Sequence, residues 1–254
     1  MEWRDQGIVL GTRRHGETSV ILEAMTAAHG RHLGLVRGGR SRRMQPVLQA
    51  GNRVELTWRA RLDEHLGNFQ VEPVALNAAR LMNSALSVYG IQTLAAHLRL
   101  LPERDPHPGF FETLGFMIEH LEEVHTAGVM LARFEVAVLE ELGFGLDLSH
   151  CAVTGQQEGL AYVSPKSGRA VTREAGEPWQ DKLFPLPAFL IAEKDVPCDR
   201  PDIQNAFALT GFFLHRHVYE PRGLMEPEAR VGFLAALMRG LTQAAPEADG
   251  DSAA

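Results

Sequence analysis

Polar and apolar positions alternate with period two through the first 75 residues. Segment 19–25 sets Val20, Leu22 and Ala24 against Ser19, Ile21 and Glu23, and segment 53–61 sets Val54, Leu56 and Trp58 against Arg53, Glu55, Thr57 and Arg59. Such alternation buries one face of a strand and leaves the other to water. Shorter runs at 8–14, 32–37 (Leu33 and Leu35 on one face) and 65–71 have the same character. Polar or glycine-bearing turns separate them at His15-Gly16-Glu17, His29-Gly30, Gly51-Asn52 and Asp63-Glu64. Five short strands at close spacing predict a small barrel or sandwich. Trp58 belongs to its core, because it shares a face with Val54 and Leu56.

At Ala75 the period changes. Leu81, Met82, Leu86, Tyr89 and Leu94 recur at helical spacing. A second helix is expected to start at Asp105-Pro106 and to carry Phe110, Phe111, Leu114, Met117, Ile118, Leu121 and Val124 on one stripe. A third spans 129–142 and ends at Gly143, a fourth spans 203–218, and a fifth starts at Pro227. Between them, 145–187 is rich in Gly, Pro and Ser and reads as irregular. The last residues, 244–254, are small and acidic and read as a disordered tail. The expected architecture is α+β and multi-domain: a five-stranded barrel or sandwich over 1–76, then a helical domain over 77–243 with an irregular insert at about 146–188.

Composition sets bounds on this picture. Of 254 residues 45% are hydrophobic and 22% charged, enough apolar material for a buried core. The longest uncharged apolar run, 183–192, holds two prolines and is too short to cross a bilayer, and no apolar leader follows Met1. The chain reads as cytoplasmic. Its two cysteines, Cys151 and Cys198, lie outside any C-x-x-C pair, so reduced thiols are expected.

Charge changes the picture more. The net charge is −7, yet residues 1–80 hold twelve arginines against eight acidic residues, and the remainder holds thirteen basic against twenty-four acidic residues. Residues 31–43 carry Arg31, Arg37, Arg40, Arg42 and Arg43 with His32 and no acid. Gly38 and Gly39 let the backbone turn sharply there, and Ser41 adds a donor. Arginine suits phosphate because its planar fork donates parallel hydrogen bonds and keeps its charge. A GC-rich genome produces the same arginine bias, and a charged solvated loop is the plainer reading of the run. The missing counter-charge, together with Arg13, Arg14, Arg53, Arg59 and Arg61 on flanking strands, favours a polyanion. Only Trp3, Trp58 and Phe69 are Phe, Tyr or Trp before residue 80, so phosphate contacts should outweigh base stacking.

Other chemistry fares less well. Gly34 to Arg43 lacks the G-K-[ST] ending of a phosphate loop. Cys151, Thr154, Thr172 and Ala175 follow the spacing of a four-ligand zinc ribbon with one ligand kept; threonine is a poor ligand and alanine none, so a loop without metal is the preferred reading. Cys151 with His150, or Ser164 with Lys166, lacks an orienting third group, and His215 and His217 point opposite ways on a helix. No catalytic residue and no cofactor is expected.

Four segments together resemble the RecO family of DNA-repair recombination mediators: DQGIVLGTRRHGETSVIL, HGRHLGLVRGGRSRR, AGNRVELTW, and LGFGLDLSHCAVTG with YVSPKSGRAV. The resemblance covers nearly the whole chain. It implies an N-terminal OB-fold, a helical domain interrupted by a zinc-ribbon-like insert, and a DNA-binding, strand-annealing protein that is not an enzyme. Such proteins act with RecR and the single-stranded-DNA-binding protein to load RecA, and both single-stranded and double-stranded DNA are expected ligands. Zinc is not carried over, since three of the four ligand positions differ. The DNA-binding residues expected here are Arg13, Arg14, Arg31, Arg37, Arg40, Arg42 and Arg43. An acidic, aromatic-ended tail of the single-strand-binding protein would need a cation from among Arg99, Arg104, Arg133, Arg216, Arg222, Arg230 and Arg239. The alternative is an interaction adaptor whose barrel does not bind DNA.

Overall fold

A computed structural model of the chain describes residues 1–192 and 196–244; most of the expected tail lies outside them. The chain divides into two compact units, Met1–Glu123 and a second beginning at Val124. In the first, β1 (Glu2–His15), β2 (Ser19–Thr26), β3 (Gly30–Val36), β4 (Arg53–Arg59) and β5 (Asn68–Ala75) form a closed barrel in the order β1-β2-β3-β5-β4. That order is consistent with the expected OB-fold. β1 is long enough to pair with β4 through its first half and β2 through its second, with a bulge between Val9 and Gly11 where it bends.

Val9, Val20, Leu22, Ala24, Val36, Val54, Leu56, Trp58 and Phe69 fill the barrel. Trp58 is buried as expected, its indole N–H donating to the Leu66 carbonyl at 3.0 Å. On β3 the interior face is His32, Gly34 and Val36, while Leu33 and Leu35 face outward and are half-buried. Size explains the choice. The Phe69 ring lies so close to Gly34 that a Cβ there would come within 2.3 Å of it. The large rings therefore require a strand face of small residues opposite.

Three helices complete this unit: α1 (Ala78–Leu81), α2 (Ala85–Leu98) and α3 (Pro108–His120). α2 packs on β1 and α3 on β2, so the compact unit runs well past the last strand. The helix expected from Asp105-Pro106 is α3, and it starts later, at Pro108. The residues before it lie along β3: Arg104 N–H donates to the Arg31 carbonyl at 2.8 Å, and Gly30 meets the Asp105 carbonyl so closely that no side chain fits.

Arg104 also closes the barrel seam. β3 and β5 pair only at Leu35 and Asn68. Arg104 bridges that gap, its guanidinium donating to the carbonyls of Asp63 and His65 in the β4–β5 loop. It does so from a left-handed backbone (φ 66) that disfavours any side chain. Arg104→Ala should therefore lose about 1–3 kcal/mol, because it drops the hydrogen bonds and keeps the strain. Arg104→Gly should lose less, and thermal unfolding of the two variants checks the order.

The second unit holds α4 (Val124–Glu141), β6 (Leu160–Val163), β7 (Ala170–Thr172), α5 (Arg173–Gly176), β8 (Phe184–Pro185), α6 (Arg200–Leu214) and α7 (Glu228–Ala244). Gly143, at φ +82, ends α4 as expected. Asp199 and Asp202 form a reciprocal cap at the start of α6, and α6 continues into a wider turn over His215–Tyr219. The insert is more ordered than its composition suggests: β7-β6-β8 make a small sheet. Inside the helical part, Glu135 of α4 takes a two-pronged ion pair from Arg230 of α7, at 2.7 and 3.0 Å, both side chains being at most 5% exposed. Among the described residues no helix is long and apolar enough to cross a membrane.

Candidate nucleic-acid interface

The β1–β2 hairpin turns through Gly16 (φ +63) and carries Arg13 and Arg14 on its first arm. Val20 of β2 pairs with Arg14 on one side and with Val36 on the other. Arg37, which follows Val36, therefore leaves the barrel at the end where Arg13 and Arg14 stand. The loop after it is fixed in place. Gly39 sits against Val20, where a Cβ would approach to 2.6 Å, and Arg40 N–H donates to the Thr18 carbonyl at 3.0 Å. The Ser41 carbonyl accepts from Met44 and Gln45 N–H, starting a turn that drops Val47 and Leu48 into the core. Arg37, Arg42 and Arg43 are left on the outside.

Arg13, Arg14, Arg37, Arg40, Arg42 and Arg43 are all exposed. Among the described residues none of Arg13, Arg14, Arg37, Arg42 and Arg43 meets a carboxylate. Arg40 differs: its Nη1 donates to the carbonyls of Glu17 and Gly16, at 2.5 and 3.4 Å. It ties the loop to the hairpin that bears Arg13 and Arg14.

Arg31 stands apart from this group. It pairs with Met25 at the far end of β2, is 13% exposed, and donates to Glu23 at 2.9 Å and to the Leu101 carbonyl at 3.2 Å. His32 is interior, in edge contact with Trp58 and Phe69. Burial lowers its pKa to about 4, so it adds no charge at neutral pH. Arg59 pairs with Glu2 at 2.8 Å, and Arg53 lies over the Phe111 ring. Oligonucleotides on OB-folds commonly lie across strands 2 and 3. Here that face is largely covered: Ile21 and Met25, on the outer side of β2, are 7% and 0% exposed, and Glu23 between them is paired with Arg31 and Arg99. The open cationic ground is the hairpin and the 37–43 loop. Trp58 and Phe69 are buried, and Trp3 is stacked between His29 and Trp58, so these rings are not free for bases.

The other candidate chemistry does not assemble. Cys151 is 1% exposed, and His150 bonds Ser149 and Gln157 instead of the thiol. His217 lies between Phe144 and Phe213 in a ring stack. Cys198 meets His125 at 3.3 Å, a pairing across 73 residues that no local motif announces. Its thiol pKa is raised by burial and by Asp202 and Asp199, the reverse of activation. Zinc does not fit the insert either, since Thr154, Thr172 and Ala175 occupy three ligand positions. Of the cations considered for an acidic tail, Arg230 is buried in its ion pair, Arg99 is paired with Glu23, and Arg133 donates to the carbonyls of Phe189 and Ala192. Arg239 is exposed.

Comparison with known proteins covers most of the chain. Residues 1–77 match the family model described as recombination protein O N terminal, and residues 89–226 match recombination protein O C terminal. A DNA repair protein RecO of Chelativorans sp. (strain BNC1) is 76% identical over 243 residues, 96% of this chain and 98% of that one. Those of Mesorhizobium japonicum and Brucella abortus (strain 2308) are 67% and 59% identical, over 94% and 95% of this chain and 94% and 98% of theirs.

Proposed function

The chain belongs to the RecO family of DNA repair proteins, and from that membership we propose a non-enzymatic, DNA-binding recombination mediator. In this reading the barrel is an OB-fold that grips single-stranded DNA, and double-stranded DNA as well, by its sugar–phosphate backbone. It promotes annealing of complementary strands. With RecR it helps to load RecA on DNA coated by the single-strand-binding protein, whose tail it also engages. It works in the cytoplasm, at the nucleoid.

One observation carries the proposal: five exposed guanidinium groups without carboxylate partners among the described residues, gathered at one end of a closed barrel in a chain of net charge −7. Bringing two strands together opposes like charges, and a cationic surface against the phosphates lowers that repulsion. No bond is made or broken, so no catalytic set is needed. The covered β2–β3 face favours a second reading, an adaptor whose barrel binds protein and not DNA.

A titration of the full protein with a labelled oligonucleotide at low and moderate salt separates the two. The mediator is expected to bind with a log–log salt slope of roughly −3 to −4, from about −0.7 for each of five neutralised phosphates on a single strand. The adaptor shows no affinity at either salt.

A further inference from the structure

We infer that the insert of this chain is a zinc ribbon without zinc, held by hydrogen bonds to the Cys151 sulfur and by apolar packing. The four positions of a ribbon's ligands are kept in spacing and changed in chemistry: Cys151, Thr154, Thr172 and Ala175. A thiolate, two hydroxyls and a methyl cannot make the tetrahedral nitrogen and sulfur set that structural zinc takes. Among the described residues no group of three or more His, Cys, Asp and Glu side chains is placed to hold a metal.

The local geometry is nevertheless that of a metal knuckle. Cys151 N–H donates to the Gln156 carbonyl at 2.7 Å, and the Cys151 carbonyl accepts from Gly155, whose φ of +74 closes the turn. The sulfur accepts the backbone N–H groups of Thr154 at 3.5 Å and Thr172 at 3.3 Å. Thr172 Oγ1 lies 3.6 Å from the same sulfur. Two sulfur ligands each about 2.3 Å from a tetrahedral zinc lie roughly 3.8 Å apart, so Cys151 and Thr172 stand at ligand-to-ligand distance and touch directly. Burial raises the Cys151 pKa, but the Thr154 hydroxyl and the N–H groups of Thr172, Thr154 and Val153 outweigh it and bring the thiol to about 6. Those donors are aimed at the sulfur much as they would be at a metal-bound thiolate.

Packing completes the replacement. Cys151, Val163, Ala170, Val171 and Thr172 are buried, and Gly176 lies so close to Tyr162 that a Cβ would come within 2.4 Å of the ring. Ala152 N–H and the Ala170 carbonyl join the knuckle to β7 at 2.8 Å. Folding of the insert then needs no metal.

The test is zinc content and thermal unfolding of the purified full-length protein. Less than about a tenth of a zinc per chain is expected, with a melting temperature that chelator does not move; near-stoichiometric zinc, or a chelator-induced drop, overturns the inference. The variant carrying Thr154→Cys, Thr172→Cys and Ala175→Cys should take up one zinc per chain and become chelator-sensitive. If it folds and binds none, the insert is not built as a ribbon. Cys151→Ala should lower the melting temperature more than Cys151→Ser, which keeps an acceptor; equal losses would show that the sulfur's hydrogen bonds do not hold the turn.

Discussion

Replacing Arg13, Arg14, Arg42 and Arg43 together by alanine lowers affinity for single-stranded DNA by on the order of a hundredfold or more. The same change flattens the salt dependence by about 0.7 in log–log slope for each phosphate no longer neutralised. These four guanidinium groups are exposed, sit on two neighbouring segments at one end of the barrel, and meet no carboxylate among the described residues. Each phosphate they neutralise releases condensed counter-ions, which is why slope and affinity fall together. Arg59→Ala is the control. Its charge is already balanced by Glu2, so the slope should hardly change. Arg40→Ala should weaken binding with a smaller effect on slope than Arg42→Ala, since Arg40 acts largely by holding the hairpin carbonyls of Gly16 and Glu17. Anisotropy titrations across a salt series measure all of these. An unchanged slope in the fourfold variant removes this end of the barrel as a phosphate site.

Arg230→Ala destabilises the second unit by about 3–5 kcal/mol, a shift on the order of 10 °C in its melting temperature. The cause is what remains behind. Glu135 is 0% exposed, and Arg230→Ala takes the two-pronged guanidinium pair away from its carboxylate in a core between α4, α6 and α7, where the Thr210 hydroxyl still donates to it. Arg230 also donates to the Phe207 carbonyl at 3.0 Å and to Glu226 at 2.6 Å, so its loss unties α6 as well as α7. Burial disfavours the charged guanidinium, but the Coulombic pull of Glu135 and the hydrogen bonds to Glu135 and Glu226 outweigh that and raise its pKa. The double variant Glu135→Leu with Arg230→Met should be less harmful than either single change, because neither half of the buried pair is then left without the other. Thermal or urea unfolding of the three variants checks the order; a double variant worse than both singles sinks this account.

Much of the architecture was legible in the residues. The alternation of Val54, Leu56 and Trp58 against Arg53, Glu55 and Thr57 is a local signal, and the strand it predicts is β4. The stripe of Phe110, Leu114, Met117 and Ile118 is equally local and appears as the buried side of α3. Distant neighbours decided what the local pattern left open. Leu33 and Leu35 share one face of β3 as expected, and it is the outer face because Phe69 claims the space beside Gly34. α3 starts late because Asp105 is held against Gly30. The three strands of the insert, at two to four residues each, are too short for periodicity to mark them.

For the candidate site the division is sharper. Residue order alone established the acid-free arginine run, the charge asymmetry and the strands that carry them, since charge and alternation are properties of neighbours along the chain. Which of those arginines stand together was settled by strand register and by partners far away. Register brings Arg13 and Arg14 beside the 37–43 loop. Glu23, with the Leu101 carbonyl, draws Arg31 out of the group, and burial against Trp58 leaves His32 neutral. A guanidinium is available to phosphate only if no carboxylate has met it first, and that depends on meetings between segments the linear order does not place side by side.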